Sequence, residues 1–465
     1  MIKYNTLLVV HLFFTLSFLS ANQVRDTNES SMEWKAGVSK VIITPEEPMW
    51  MGGYSARDRE SEGKRHELWT KALAFEDAEG KRAVLITADI RNFPKDISDR
   101  IRDRIEEEYN LSRDQVLLNG SHTHSGPLVN SYINITHNIA RLNREQKERV
   151  EQYTAGLEDT IVNLVGEALE SMEPATLYAE NGVARFAVNR RNNHASTINE
   201  VTQLAGPSDH AVPVIKVLDG SGEVMAITFG YACHPSVLFD YKFSGDYVGY
   251  AQLELEKVYP EATALFFQGA GGDQGTIPRR SVGYARQYGQ ELAVAVRRVL
   301  SEDMRQLPSQ LSTAYSEVDI ALSTPPSYEE LIRLEEELSG NRKRWATRLR
   351  EQLDRGESIQ TSHPYPVQVW QIGDQTMVNL GGELVVEYAI NIKRIFGQDT
   401  FVLGYSNDVM SYIPTVEVLR EGGYEGSASQ LVRGMPSDWS ASIETTILAE
   451  VLKVAEEAGV LPYED

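Results

Sequence analysis

The run Asn119-Gly120-Ser121-His122-Thr123-His124-Ser125-Gly126-Pro127 sets two imidazoles two residues apart, directly after the apolar stretch Gln115-Val116-Leu117-Leu118. That stretch reads as a buried strand, being β-branched or apolar and bounded by turn residues. If the backbone stays extended, side chains at i and i+2 share a face, so His122 and His124 are expected to point the same way. Gly126-Pro127 then ends regular structure. Such a pair gives a metal one ligand and keeps a second imidazole close beside it, neutral imidazole being a common ligand. A polar turn whose histidines bond only to nearby backbone has the same local sequence.

Two further segments repeat the pattern of apolar strand, sharp turn and ligand-type residue. One ends in Ala232-Cys233-His234-Pro235 and the other in Gly381-Gly382-Glu383. Two imidazoles, one carboxylate and an open position make a catalytic zinc set in general chemical terms. No short motif links the three segments, so spacing alone only suggests the site. Each residue taken singly is as well suited to a structural role.

The elements that must position these residues follow in β-α-β order. Strands are expected at 37–45, 68–76 and 81–89, a helix at 96–109, and then the His-x-His strand. A long amphipathic helix fits 144–172, with Tyr153, Leu157, Ile161, Leu164, Val165 and Leu169 on its apolar stripe. Extended pieces at 176–178 and 184–189 lead to Arg190-Arg191. A hairpin at 212–218 and 224–231 turns through Asp219-Gly220-Ser221-Gly222. A helix at 249–259, a strand at 264–267 and a glycine-rich loop at 268–276 precede a core helix at 283–300. The charged stretch 328–356 reads as a solvated helical pair broken near Gly340-Asn341, with an arm for oligomerisation as the lesser reading. A hairpin at 368–372 and 377–380, a helix at 385–395, a strand at 401–405 and a helix at 440–458 complete the chain. The expected fold is mixed α/β: a single large domain with a β-sheet core flanked by helices and a metal site at strand ends.

Composition narrows the partners. The chain has 465 residues, 42% of them hydrophobic, enough for a substantial core. A formal charge of −22 argues against nucleic acid and against docking on anionic lipid. Lys3, the apolar run from Leu7 to Leu19 and Ser20-Ala21 read as a signal peptide over 1–21. A membrane span needs about 20 apolar residues; an uncleaved anchor is the alternative, and no transmembrane segment is expected after cleavage. The sole cysteine, Cys233, forms no internal disulfide. A periplasmic or secreted protein of 22–465 is expected, drawing its stability from core and metal.

Several runs, in order, resemble the neutral ceramidase family (neutral/alkaline, non-lysosomal), zinc amidases that cleave the N-acyl bond of ceramide. Ser121-His122-Thr123-His124-Ser125-Gly126-Pro127 is similar to its most distinctive run almost residue for residue. Met51-Gly52 with Gly63 and His66, then Lys71-Ala72-Leu73-Ala74-Phe75, resembles the N-terminal signature. Asn189-Arg190, His234-Pro235, Ser244-Gly245-Asp246 and Gly249-Tyr250-Ala251 follow in family order. Gly381-Gly382-Glu383 stands where the family has Pro-Gly-Glu, and Tyr412 and Tyr424-Glu425-Gly426 with Ala428-Ser429 match the last elements. The resemblance implies one zinc per chain held by His122, His234, Glu383 and Tyr412. It places His124, Arg190 and Tyr424 around the substrate carbonyl. It implies an amidohydrolase acting on a small-molecule or lipid N-acyl amide, ceramide or a related compound, by attack of zinc-bound hydroxide. His124 is the expected proton carrier, and His66, His194 and His210 are candidates for orienting a ligand.

Two departures stand out. The family's Gly-Asp-x-Ser reads here as Gly272-Asp273-Gln274-Gly275, followed by Thr276, so a serine mechanism does not carry over. The family's further β-sandwich domain has no counterpart after the Tyr424 element, which puts ceramide itself in question. The alternatives are a metal-dependent esterase or phosphoesterase with a second metal at Asp89, Asp246 and Asp273, or a non-catalytic metal-containing binding protein.

Overall fold

The stretch Arg82–Ala88 is apolar and β-branched nearly throughout and buried along almost its whole length, the pattern of a strand covered on both faces. It pairs parallel with Val116–Gly120 and antiparallel with Trp69–Glu76. This computed structural model describes Met1 and residues 33–129 and 141–463, so the expected signal at 1–21, apart from Met1, lies outside the described residues. A nine-stranded sheet runs in the spatial order Val116–Gly120, Arg82–Ala88, Trp69–Glu76, Trp34–Ile42, Glu173–Val183, Ala211–Asp219, Val224–Tyr231, Thr263–Gln268, with Arg305–Gln306 on Glu173–Val183. A second sheet holds Leu311–Ala321, Ser362–Ile372, Gln375–Leu380 and Phe401–Leu403.

The two sheets lie face to face. Leu73, Phe75, Leu85 and Leu117 of the first share one buried cluster with Trp370, Met377 and Phe401 of the second. The opposite face of the first sheet, with Val84, Ile86 and Leu118, is covered by helices Lys95–Tyr109 and Arg144–Glu170 through Ile97, Ile101, Leu157 and Ile161. Helices Asp246–Val258 and Val282–Leu300 cover its other half. The outer face of the second sheet packs on Val386–Phe396 and Ile443–Glu457. The order is therefore helices, sheet, sheet, helices: the expected mixed α/β fold with a β-sheet core flanked by helices, its core built from two sheets. Each large apolar side chain fully buried in these layers contributes roughly 1.5–3 kcal/mol.

Three local outcomes differ from the sequence reading. Leu311–Ala321 went unnoticed because serine, threonine, glutamate and aspartate fill much of its length, as suits an edge strand. The glycine-rich loop ends in a strand, Gln274–Thr276, paired antiparallel with Ala187–Asn189. Helices Tyr328–Glu337 and Gly340–Asp354 are not simply solvated, since they bury Leu331, Trp345, Ala346 and Leu349 against each other.

Pairs of parallel strands set the geometry of the site. Arg82–Ala88 with Val116–Gly120, Val224–Tyr231 with Thr263–Gln268, and Gln375–Leu380 with Phe401–Leu403 each end together. The loops that leave those ends meet, as expected where parallel strands finish. Asn119 joins them: its Oδ1 accepts from Gln268 N at 2.8 Å and its Nδ2 donates to Gly404 O at 2.8 Å.

Candidate metal centre

His122 lies beyond the end of its strand and has φ of 62°. The left-handed turn, not strand alternation, therefore aims the two histidines, correcting the expectation of an extended His-x-His. The turn still brings them together, with Nε2 of His124 at 3.4 Å from Nε2 of His122. His122 Nδ1 donates to the Arg91 carbonyl at 2.8 Å, and His234 Nδ1 donates to the Gly271 carbonyl at 2.7 Å. A carbonyl only accepts, so each Nδ1 carries the proton and each Nε2 presents a lone pair. Both Nε2 atoms face Glu383 Oε2 at 3.3 Å. The Tyr412 hydroxyl stands 3.4 Å from His234 Nε2.

Glu383 Oε2 is buried and has no hydrogen-bond partner among the described residues. Unpaired lone pairs from two imidazoles and a carboxylate converging in a buried site call for a cation. The three histidines also bring their ligand nitrogens within 4.8 Å of one another. The donor set of nitrogen and oxygen suits zinc. These residues fit a metal ion.

The electrostatics agree. Burial pushes the imidazoles of His122 and His124 below their ordinary range, for His124 with help from its two histidine neighbours. Burial, then Arg190, lowers His234 to about 3. Burial alone would raise Glu383, but Arg433 and His122 outweigh it and hold the carboxyl well below its usual range. Tyr412 is raised well above a normal phenol by burial, with Arg190 opposing. The side chains by themselves are thus neutral imidazoles around one ionised acid.

Arg190 follows the strand Ala187–Asn189, whose pairing with Gln274–Thr276 fixes its start; its N–H donates to Asp273 O at 2.8 Å. Its guanidinium donates to Tyr412 Oη at 2.8 Å, Gly272 O at 2.7 Å and Glu425 Oε1 at 2.9 Å. Tyr424 stands at the rim, half exposed, its ring 5.5 Å from that of Tyr412. A cavity of about 490 Å³ opens here, walled in part by Arg190, Gly275, Ser236 and Tyr424. Gly275, where the family has serine, leaves room: a Cβ there would come no closer than 3.7 Å, to Arg190 Cδ.

His66, His194 and His210 do not orient the cluster. His66 bonds to Ser244 Oγ at 2.9 Å and Glu67 O, His194 is exposed on the cavity wall, and His210 Nδ1 has no hydrogen-bond partner among the described residues. Backbone carbonyls fill the orienting positions, which no residue identity reveals. Asp89, Asp246 and Asp273 do not gather into an oxygen site. Asp89 accepts from Trp69 N, Asp246 from Leu238 N and Tyr247 N, and Asp273 from Asn189 Nδ2 and Val386 N.

The sequence reading passed over Arg433, which pairs with Glu383 Oε1, and Arg91, 3.9 Å from the same oxygen. It also missed Tyr405, whose ring lies 4.5 Å from that of His122, and Tyr54, 4.8 Å from the His124 ring. Glu425 lies in the Tyr424 motif, which assigns it no role. A buried acid needs a cation nearby, but nothing in the sequence says which arginine supplies it.

The model of the neutral/alkaline non-lysosomal ceramidase N-terminal region matches residues 34–273. The chain belongs to that family. Neutral ceramidase A of Dictyostelium discoideum is 26% identical over 263 residues, which are 54% of this chain and 36% of that protein. Neutral ceramidase B of the same organism is 24% identical over 251 residues, 51% and 33% of the two chains. The match thus spans about a third of the length of these ceramidases. The crystal structure of neutral ceramidase from Pseudomonas aeruginosa shares the fold with a TM-score of 0.72 at 20% identity, covering 93% of this chain and 76% of that one. A ceramidase complexed with C2 aligns with a TM-score of 0.71 at 19% identity, over 93% and 77%.

Proposed function

We propose that this ceramidase-family chain is a zinc-dependent hydrolase that cleaves an N-acyl amide, ceramide or a related N-acyl compound. The observation that carries the reading is Glu383 Oε2, buried without a hydrogen-bond partner among the described residues and 3.3 Å from Nε2 of both His122 and His234. His122, His234, Glu383 and Tyr412 would hold the ion. Zinc, when bound, lowers the pKa of water toward neutrality and polarises a carbonyl oxygen.

The chain's own groups supply the rest. His124 is neutral at working pH because burial lowers its pKa, so its imidazole can accept a proton from the attacking water and return it to the departing nitrogen. Arg190, fixed by three acceptors, and Tyr424 at the rim offer donors to the carbonyl oxygen as it gains negative charge. Water adds to the carbonyl carbon, the C–N bond breaks, and a carboxylate and an amine leave. Nothing in this sequence of events needs a serine at position 275.

Export through a signal at 1–21, giving a periplasmic or secreted protein, is part of the same proposal. It rests on Lys3 and the apolar run from Leu7 to Leu19. No helix among the described residues is long and apolar enough to cross a membrane. The test is elemental analysis of purified protein together with a hydrolysis screen of ceramides, N-acyl amino acids and simple esters. One zinc per chain with amide turnover supports the reading. Turnover undiminished after complete zinc removal overturns it.

A further inference from the structure

The cavity beside the cluster is strongly charged. Its wall includes Arg190, Arg191, Arg279, His194, Glu421 and Glu425. Both acids are already engaged. Glu425 accepts from Arg190 Nε at 2.9 Å and Arg191 Nη1 at 3.2 Å, and Glu421 from Arg191 Nη2 at 2.8 Å. Arg279 is left with no acidic partner among the described residues, and so is its neighbour Arg280. The Arg280 guanidinium instead lies 5.1 Å from the Tyr54 ring and 4.4 Å from the Phe239 ring. Tyr54 in turn packs on His124 at 4.8 Å, so Arg280 stands one ring away from the expected proton carrier.

The chain carries 67 acidic and 45 basic residues, so adjacent arginines without an acid run against its composition. Arg280 also adopts φ of 81°, a conformation that costs a non-glycine residue energy and recurs where function holds the backbone in place. Partial burial, then the charge of Arg280, lowers the Arg279 guanidinium, with Tyr54 opposing, and an anion beside it would favour its charged form. A fatty chain laid among these groups would desolvate them without compensation. The cavity therefore suits the polar end of an amide, and Arg279 on its wall, with Arg280 next to it in the chain, suits an anion.

Resting on the hydrolase reading, we infer that the substrate carries an anionic group, carboxylate or phosphate, on the amine side of the scissile amide, held by Arg279 and Arg280. The preferred class is then an N-acyl amino acid or a phosphorylated N-acyl amine, which narrows the N-acyl compounds proposed above and makes ceramide, a neutral N-acyl amine, the poorer substrate. Guanidinium groups match both anions through charge-assisted hydrogen bonds.

The test compares N-lauroylglycine, N-lauroylethanolamine phosphate and neutral N-lauroylethanolamine, which share one acyl chain. Each is measured for kcat/KM on the zinc-loaded full chain and for calorimetric binding to the zinc-depleted full chain. One or both anionic amides are expected to exceed the neutral one by about tenfold or more, the scale of a single charged contact; which of them leads identifies the anion. The Arg279→Gln/Arg280→Gln double variant is expected to bring the ratio close to one. The Arg279→Lys/Arg280→Lys variant, which keeps both charges, is expected to retain a preference and controls for folding. Equal binding of all three by the wild type, or a preference that survives the glutamine variant, overturns the inference. Preferential binding of an anionic amide with no turnover of any would overturn the hydrolase reading and leave the anion site standing.

Discussion

The Arg190 guanidinium donates to the Tyr412 hydroxyl at 2.8 Å, and this contact ties the open cavity to the buried cluster. The same guanidinium reaches Gly272 O and Glu425 Oε1, so its position is fixed before any substrate arrives. A donor fixed in advance stabilises developing charge without reorganising. Arg190→Ala is expected to lower kcat by about a hundredfold to a thousandfold with zinc retained. A loss confined to KM would show that Arg190 binds ground state and transition state equally.

His122→Ala and His234→Ala each remove a lone pair that faces Glu383 Oε2. Groups outside the ligand set already alter metal affinity about 10–100-fold when removed, and a ligand should matter more. Both variants are expected to emerge from dialysis without stoichiometric zinc and without activity. Elemental analysis decides the matter, and full zinc in either variant removes that residue from the ligand set.

His124 is expected to separate from the metal. His124→Ala should keep zinc and lose about a hundredfold to ten-thousandfold in rate. Gly53→Ala offers a second route to the same group. Gly53 has φ of 100°, and a Cβ there would sit 2.7 Å from the His124 Cα, so the loop or the imidazole must shift. It too should retain zinc and lose rate. An unchanged rate in both variants would take His124 out of the proton transfers.

Arg433 pairs with Glu383 where the two side chains are 6% and 0% exposed. Arg433→Met strands a buried carboxylate, and breaking such a pair costs about 3–5 kcal/mol. Bound zinc offers the carboxylate another cation, so the drop in Tm should be larger in zinc-depleted protein than in loaded protein. Equal drops with and without zinc would mean that Glu383 does not share its charge with the metal.

Much of this site was legible in the sequence because the family runs sit at strand ends, and the physics of parallel strands brings such ends together. His122, His234 and Glu383 meet for that reason, whereas Arg190 leaves a strand paired antiparallel and Tyr412 opens a short strand beside Glu383. What escaped was set by long-range geometry. The His122 turn is left-handed in a run that could equally have stayed extended. The orienting groups are the carbonyls of Arg91 and Gly271, and every residue has a carbonyl. Arg433 has no motif around it, and its role follows only from where Glu383 is buried. In the fold, apolar strands such as Arg82–Ala88 announced themselves, whereas Leu311–Ala321 hid behind its polar residues. That second sheet can then be inferred only from the apolar face it offers the first.

Glu387 gives a pH test remote from the chemistry. Burial first, and then the charges of Asp273, Glu417, Glu421 and Glu444, raise its carboxyl to about 7, and its Oε2 has no hydrogen-bond partner among the described residues. An acid whose folded pKa exceeds its unfolded value binds its proton more tightly when folded. Its cost to stability therefore begins as pH rises above the unfolded value of about 4.3 and is complete once pH has passed about 7. Glu387→Gln removes the charge and keeps the shape. Tm is expected to rise at pH 8 and to match the wild type at pH 4. A gain of the same size at both pH values would show that packing, not ionisation, sets the effect.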